Sequence, residues 1–207
     1  DYPRESTAVA QIVDKTYTCN NYVANVMFEK MGRKTKNVET VYIGVDTEFF
    51  NEENVQLEQY PEIVKYKDKY EDKKIILFCA IEKRPLLAIK AFAKLCKKDS
   101  NLMLFIVGSG EKERDEKRLV KQLKLEDKVI FFGDQSDTRP FYKLAHVTLI
   151  CSIVEGLTLT TYESLSMKTP VVTANVGGQK ELVDSSCGRI VNNIQKSNTL
   201  RNEEYKE

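Results

Sequence analysis

The sequence predicts an α/β fold in which a parallel sheet is flanked by helices on both faces. Three observations predict it. Six short runs rich in Val, Ile, Leu and Phe recur from Lys73 onward. Each run is nearly continuous in apolarity rather than alternating, as strands buried on both faces require. Between the runs lie stretches with helical spacing, and repeated strand–helix–strand units build parallel sheets through right-handed crossovers. The 207 residues suffice for one domain and a fragment, with enough chain to bury a core.

The elements follow in order. Asp14–Cys19 predicts a strand. Asn20 or Asn21 caps a helix running to Met31, with Gly32 as its stop. Val38–Ile43 predicts a second strand, Gly44–Val45–Asp46 a turn, and Gln56–Tyr70 a charged helix. The main series opens with Ile75–Ala80. Pro85 suits the first turn of a helix, and Leu86, Leu87, Ile89, Ala91, Phe92 and Leu95 trace its apolar stripe. Leu102–Val107, Val129–Phe132 and Val147–Cys151 are strands, with helical pieces at Arg118–Leu123 and Phe141–Leu144 between them. Thr161–Met167 is a helix halted before Pro170. Val171–Thr173 and Arg189–Val191 complete the sheet, separated by a helix that Gly177 and Gly178 open. The chain thus divides into residues 1–40, a Rossmann-like unit over 41–194 and a polar tail over 195–207.

Composition narrows the function. Lys and Arg total 32 against 31 acids, a net charge of +1. That balance excludes a global field drawing the chain onto nucleic acid or anionic lipid. The longest apolar run, Ile75–Ile81, is far below the roughly 20 residues that cross a bilayer. The opening DYPREST lacks a signal-peptide pattern. It also lacks Met, which suggests a piece of a longer protein. Five cysteines, an odd number with no CxxC pair, indicate a reducing compartment. Cys79 and Cys151 sit in apolar runs as core thiols. The one histidine, His146, precedes a strand and reads as a core or strand-edge residue, which leaves His-based metal cages and catalytic dyads without material.

Open parallel sheets bind ligands outside the carboxyl ends of their strands, so chemistry is sought there. Lys83 and Arg84 stand where a helix begins. Cations oppose the macrodipole at that end, and a bound anion resolves the conflict; the alternative is a solvated surface loop. Gly108–Ser109–Gly110 makes a tight turn, but Glu113 stands where a dinucleotide fingerprint has its third glycine. Glu155 and Glu163 lie eight residues apart, separated by Thr158, Leu159, Thr160 and Thr161 at a helix start. Amides there suit a diphosphate, and a carboxylate nearby suits the vicinal hydroxyls of a ribose. The alternative is two solvated acids placed favourably near a helix start. Gly177–Gly178 offers a further close approach, or a plain turn. Asp134 and Asp137 follow Gly133 in a loop. There is no Asp-x-Asp pair, no GxxxxGK[ST] and no GxSxG, so a P-loop NTPase and a nucleophile-elbow hydrolase are out.

The run Glu155-GLTLTTY-Glu163, followed by SLSMKTPVV and ANVGGQKEL, resembles the signature of family 4 retaining glycosyltransferases. VYIGVDTEFF, LMLFIVGSG, VIFFGD and LAHVTLICS support the resemblance, in family order, over residues 38 to 191. It implies one half of a GT-B architecture: the nucleotide-sugar donor domain over 41–194, with 1–40 a remnant of the N-terminal acceptor domain and the crossing between them. It implies that Glu163 holds the ribose hydroxyls, Glu155 the donor sugar, and the backbone at Thr158, Leu159 and Thr160 the phosphates. Lys83 then stabilises the departing diphosphate, and the strand around Val129 and Phe131 lies near the base, with Gly108 and Gly110 at the same edge. No metal and no other cofactor is implied. The partners implied are a UDP- or GDP-sugar and a glycan or lipid acceptor. Peripheral membrane association through the N-terminal domain and a cytoplasmic location at the inner membrane face are implied too. The sequence departs from the family at three points. The family's Arg before Lys83 is absent, so that Arg84 substitutes or loop residues are missing. Thr158 stands where the family often has Gly. Most of the acceptor domain is not present. The competing readings are a GT-B nucleotide-sugar epimerase and a non-catalytic sugar-nucleotide-binding module.

Overall fold

The computed structural model describes residues 13–25, 37–79 and 83–192. Six strands form one parallel sheet: β3 (Lys74–Cys79), β4 (Leu102–Val107), β5 (Val129–Gly133), β6 (Val147–Ile150), β7 (Val171–Ala174) and β8 (Gly188–Val191). Their spatial order is β5-β4-β3-β6-β7-β8, all neighbours parallel. The order reverses between β3 and β6. At such a point two crossovers leave in opposite directions, and a crevice opens at the strands' carboxyl ends.

Continuous apolarity is explained by two cores. On β3 and β4, Ile76, Phe78, Leu104 and Ile106 face one layer. It is covered by α2 (Pro85–Cys96) through Ala88, Ile89 and Phe92, and by α3 (Glu113–Gln122) through Val120. Their neighbours Ile75, Leu77, Met103, Phe105 and Val107 face the other, covered by α1 (Pro61–Lys69) through Ile63 and α4 (Arg139–Leu144) through Phe141 and Tyr142. Alternate side chains of a strand point to opposite faces, so both sets must be apolar. A third cluster joins Ile150, Val171 and Val183 to Leu165 of α5 (Leu159–Ser166) and Leu182 of α6 (Gln179–Leu182).

The elements before β3 differ from expectation. β1 (Thr16–Thr18) and β2 (Val38–Thr40) form a separate two-stranded parallel sheet, each shorter than the strand predicted there. Among the described residues no further strand pairs with β2 beyond Thr18, and its last tie is Val41 N–H to the Thr18 carbonyl at 2.8 Å. Asn20 is the helix cap, its Oδ1 accepting from Val23 N–H at 2.6 Å. The predicted stop at Gly32 and the tail beyond Asn192 lie outside the described residues. The turn begins at Asp46 rather than Gly44, because Asp46 Oδ1 accepts from the Glu48 and Phe49 amides. Gln56–Tyr70 is not one helix: a single turn over Leu57–Gln59 ends at Tyr60, and α1 starts at Pro61. Proline pushes the preceding residue out of the helical region, and Tyr60 has ψ 71°.

One polar cluster anchors this segment to the sheet. Asp137 accepts from Arg139 at 2.5 Å and from the Tyr60 hydroxyl at 2.6 Å, and the guanidinium lies 3.8 Å from the Phe49 ring centre. The Arg139 guanidinium, helped by Tyr60, holds the Asp137 carboxyl down at about 2 against the opposing effect of burial. A lowered carboxyl pKa contributes stability that is full above the unfolded value near 4 and fades as pH falls through 2. Replacement of Asp137 by Asn is therefore expected to cost about 2 kcal/mol at pH 7. In denaturant titrations at several pH values, the gap between the two proteins should narrow steadily below pH 4 and be mostly lost at pH 2; a constant gap would refute the assignment.

Candidate functional site

The strand-order reversal brings together the loops that follow β3 and β6. Lys83 and Arg84 leave the first, and Ser152 to Thr158 form the second. Between these loops Lys83 Nζ meets Glu155 Oε1 at 2.5 Å. The Glu155 side chain is only 9% exposed, so its charge needs this partner. Arg84 sits at the start of α2 in a left-handed conformation, φ 65°. Burial pushes the Cys151 thiol up to about 11, while the Arg84 cation opposes that shift and so lies near the end of β6.

The second acid gathers at the same edge. Glu163 lies one turn inside α5, and its Oε2 accepts from the fully buried Tyr142 hydroxyl at 2.8 Å. Burial raises the Cys79 thiol to about 11; Tyr142 lowers it and the Glu163 charge raises it, which puts the carboxylate beside the end of β3. Thr160 Oγ1 donates to the Cys79 carbonyl at 3.3 Å, tying the start of α5 to that strand. Protonated at neutral pH, Cys79 and Cys151 are packing thiols rather than nucleophiles.

The amide end of α5 is open. Thr158 occupies the capping position with extended backbone, φ −92° and ψ 119°, yet its side chain makes no cap. Leu159 is 51% exposed there. A third loop presses from beside it: the Gly178 amide donates to the Gly156 carbonyl at 2.8 Å. Gly177 has φ 53°, and a methyl group on it would lie 1.9 Å from the Glu155 carbonyl oxygen.

The other predicted residues are placed as follows. Gly108 and Gly110 follow β4 at the same sheet edge. Gly108 N–H donates to the Gly133 carbonyl at 2.8 Å, and Ser109 Oγ to Asp134 at 2.6 Å, so this turn is bound to the end of β5. Phe131 packs partly buried under Lys117. Val129 is not brought to this edge: it starts β5 and lies 4% exposed in the core with Leu104 and Phe92. His146 is exposed, and its Nδ1 accepts from the Ile75 amide at 3.1 Å, a strand-edge role.

Several residues beside these loops carry no local signal in the sequence. Tyr142 appears in the sequence only as an apolar helix position. Its partner, 21 residues away, gave no local signal. Gln179 looks like a surface glutamine but is fully buried. Cys19 and Asn20 lie against Gly156 and Gly178, so the first described segment backs the site loops. Glu181 accepts from the Asn21 and Tyr22 amides at 3.0 and 2.9 Å and from the Tyr42 hydroxyl at 2.6 Å.

Comparison with known proteins matches residues 59–196 to the family model "Glycosyl transferases group 1". An uncharacterized glycosyltransferase of Haemophilus influenzae is 36% identical over 97 residues, covering 46% of this chain and 28% of that protein. Among solved structures, a glycosyltransferase from Rickettsia africae superposes with a TM-score of 0.78 at 22% identity, over 99% of this chain and 57% of the other. Anabaena HepE, solved in complex with UDP, gives 0.77 at 18%, over 99% and 58%. This chain therefore spans under two thirds of the length of each of these proteins. None of the described helices is long and apolar enough to cross a membrane.

Proposed function

The chain belongs to the group 1 glycosyl transferases, and from that premise we propose that it is the nucleotide-sugar donor half of a retaining, family 4-type enzyme. The observation that carries the proposal is the Lys83–Glu155 pair at the strand-order reversal, with the open amide end of α5 beside it. A nucleoside diphosphate fits this edge: its phosphates on the α5 amides, its ribose on Glu163, its sugar against Glu155. As the glycosidic bond breaks, negative charge grows on the diphosphate. Fixed cations and preoriented amides stabilise such charge without reorganising, and Lys83 and Arg84 are the cations at hand. No metal is needed in this scheme. The acceptor hydroxyl attacks on the face the diphosphate leaves, and its proton passes to the departing phosphate oxygen, which retains the anomeric configuration. The acceptor, a glycan or a lipid, meets the donor from the second domain of the full protein. Residues 1–40 are then the end of that domain, and the work is done at the cytoplasmic side of a membrane. A cleft with one wall excludes water poorly, so this chain alone binds donor and turns over little.

The UDP held by the Anabaena relative makes uridine diphosphate the first ligand to test. Calorimetry of the chain with UDP, GDP and ADP should give a dissociation constant below 1 mM, on the order of ~0.1 mM, for at least one of them. No heat from any of the three at millimolar concentration would overturn the donor-site reading.

A further inference from the structure

Gln179 is a polar side chain with no exposed surface, held between two loops of the site. Its Nε2 donates to Thr158 Oγ1 at 2.5 Å, and its Oε1 accepts from Thr161 Oγ1 at 3.0 Å. Thr158 has the backbone of a helix cap, and threonine is a good one: its hydroxyl ordinarily accepts from an amide of the first turn. Here that oxygen faces Gln179 instead, and α5 begins without a side-chain cap. The Thr161 amide is served by the Thr158 carbonyl at 2.9 Å. The Leu159 and Thr160 amides take no hydrogen bond among the described residues, at the helix start that follows the loop carrying Glu155, the partner of Lys83.

We propose that Gln179 is a positioning residue that turns the Thr158 hydroxyl away from α5 and so keeps its first amides available to the donor diphosphate. Burial of an amide side chain is costly unless each end is bonded, and both ends of Gln179 are spent on α5. The device suits this chain in particular. A glycine at position 158, common in the family it resembles, has no hydroxyl to divert; threonine does, and without Gln179 it would cap the helix and compete with the phosphates. The loops are otherwise locked by the Gly178–Gly156 hydrogen bond, so release of the hydroxyl need not move the backbone.

This inference rests on the donor-site reading, and one experiment separates the two. Affinities for UDP, GDP and ADP, and by displacement for uridine, guanosine and adenosine, are measured on the unaltered chain. The same is done for Gln179→Leu, Gln179→Asn and the double variant Gln179→Leu with Thr158→Val. The asparagine variant keeps the amide but withdraws it by one methylene, which guards against a folding failure in the leucine variant. A ligand that must displace a threonine cap loses about fivefold in affinity. Each single variant should therefore bind the diphosphate about fivefold more weakly while the nucleoside is unchanged, and the double variant, with no hydroxyl to cap, should recover to within about twofold. Equal diphosphate affinity in the single variants, parallel loss of the nucleoside, or no recovery in the double variant would each overturn the role of Gln179. No nucleotide binding by the unaltered chain would overturn the donor site itself and this role with it.

Discussion

Replacing Gly177 by alanine is expected to disable the site and destabilise the fold together. A left-handed residue with a Cβ costs about 1–2 kcal/mol. The added methyl group would also sit 1.9 Å from the Glu155 carbonyl oxygen and 2.7 Å from that of Gly156. Those are backbone atoms of the loop that carries Glu155, so relief means moving the loop, at a further ~1–3 kcal/mol. The sum is about 3 kcal/mol, or roughly 10 °C in midpoint for a chain of this size. Thermal unfolding followed by circular dichroism reads the first effect, and UDP calorimetry below the transition reads the second, a loss of about tenfold or more. A variant with unchanged midpoint and unchanged affinity would show that the two loops are not in contact.

Glu163→Ala carries the other large effect. Hydrogen bonds to a charged group contribute about 1.5–3 kcal/mol each, so loss of the carboxylate should weaken nucleotide binding by roughly thirtyfold. The Tyr142 hydroxyl, with no exposed surface, loses its acceptor in the same step, and an unpaired buried donor costs about 1–3 kcal/mol. Glu163→Gln separates the two consequences. Its amide oxygen still accepts from Tyr142, so stability should return while affinity stays low. Full affinity in the glutamine variant would remove the charged ribose contact from the scheme.

A strand buried on both faces must be apolar at every position, so Ile75–Ala80 and Leu102–Val107 announce themselves without any partner in view. That Glu155, Lys83 and Arg84 stand in loops at strand ends is legible in the sequence, because the apolar runs show where each strand stops and its loop begins. That Val129 opens β5, at the end away from these loops, is not legible, because a run of residues does not show which end of a strand a ligand meets. The helix predicted over Gln56–Tyr70 is longer than the observed one because the charged periodicity passes through Pro61, while the proline acts on Tyr60. The hydrogen bonds of Tyr142 and Gln179 are invisible in the sequence: their partners lie 21 residues away in the chain, at Glu163 and Thr158.

The sequence alone determined the sheet, the two cores and the loops in which acids and cations stand, because periodicity and turn chemistry are local properties written into consecutive residues. Tertiary structure decided which charges meet, which hydroxyl is turned aside and which helix start stays open. Those outcomes depend on distances between segments far apart in the chain, and a hydrogen bond or ion pair exists only once packing has brought its two ends within about 3 Å.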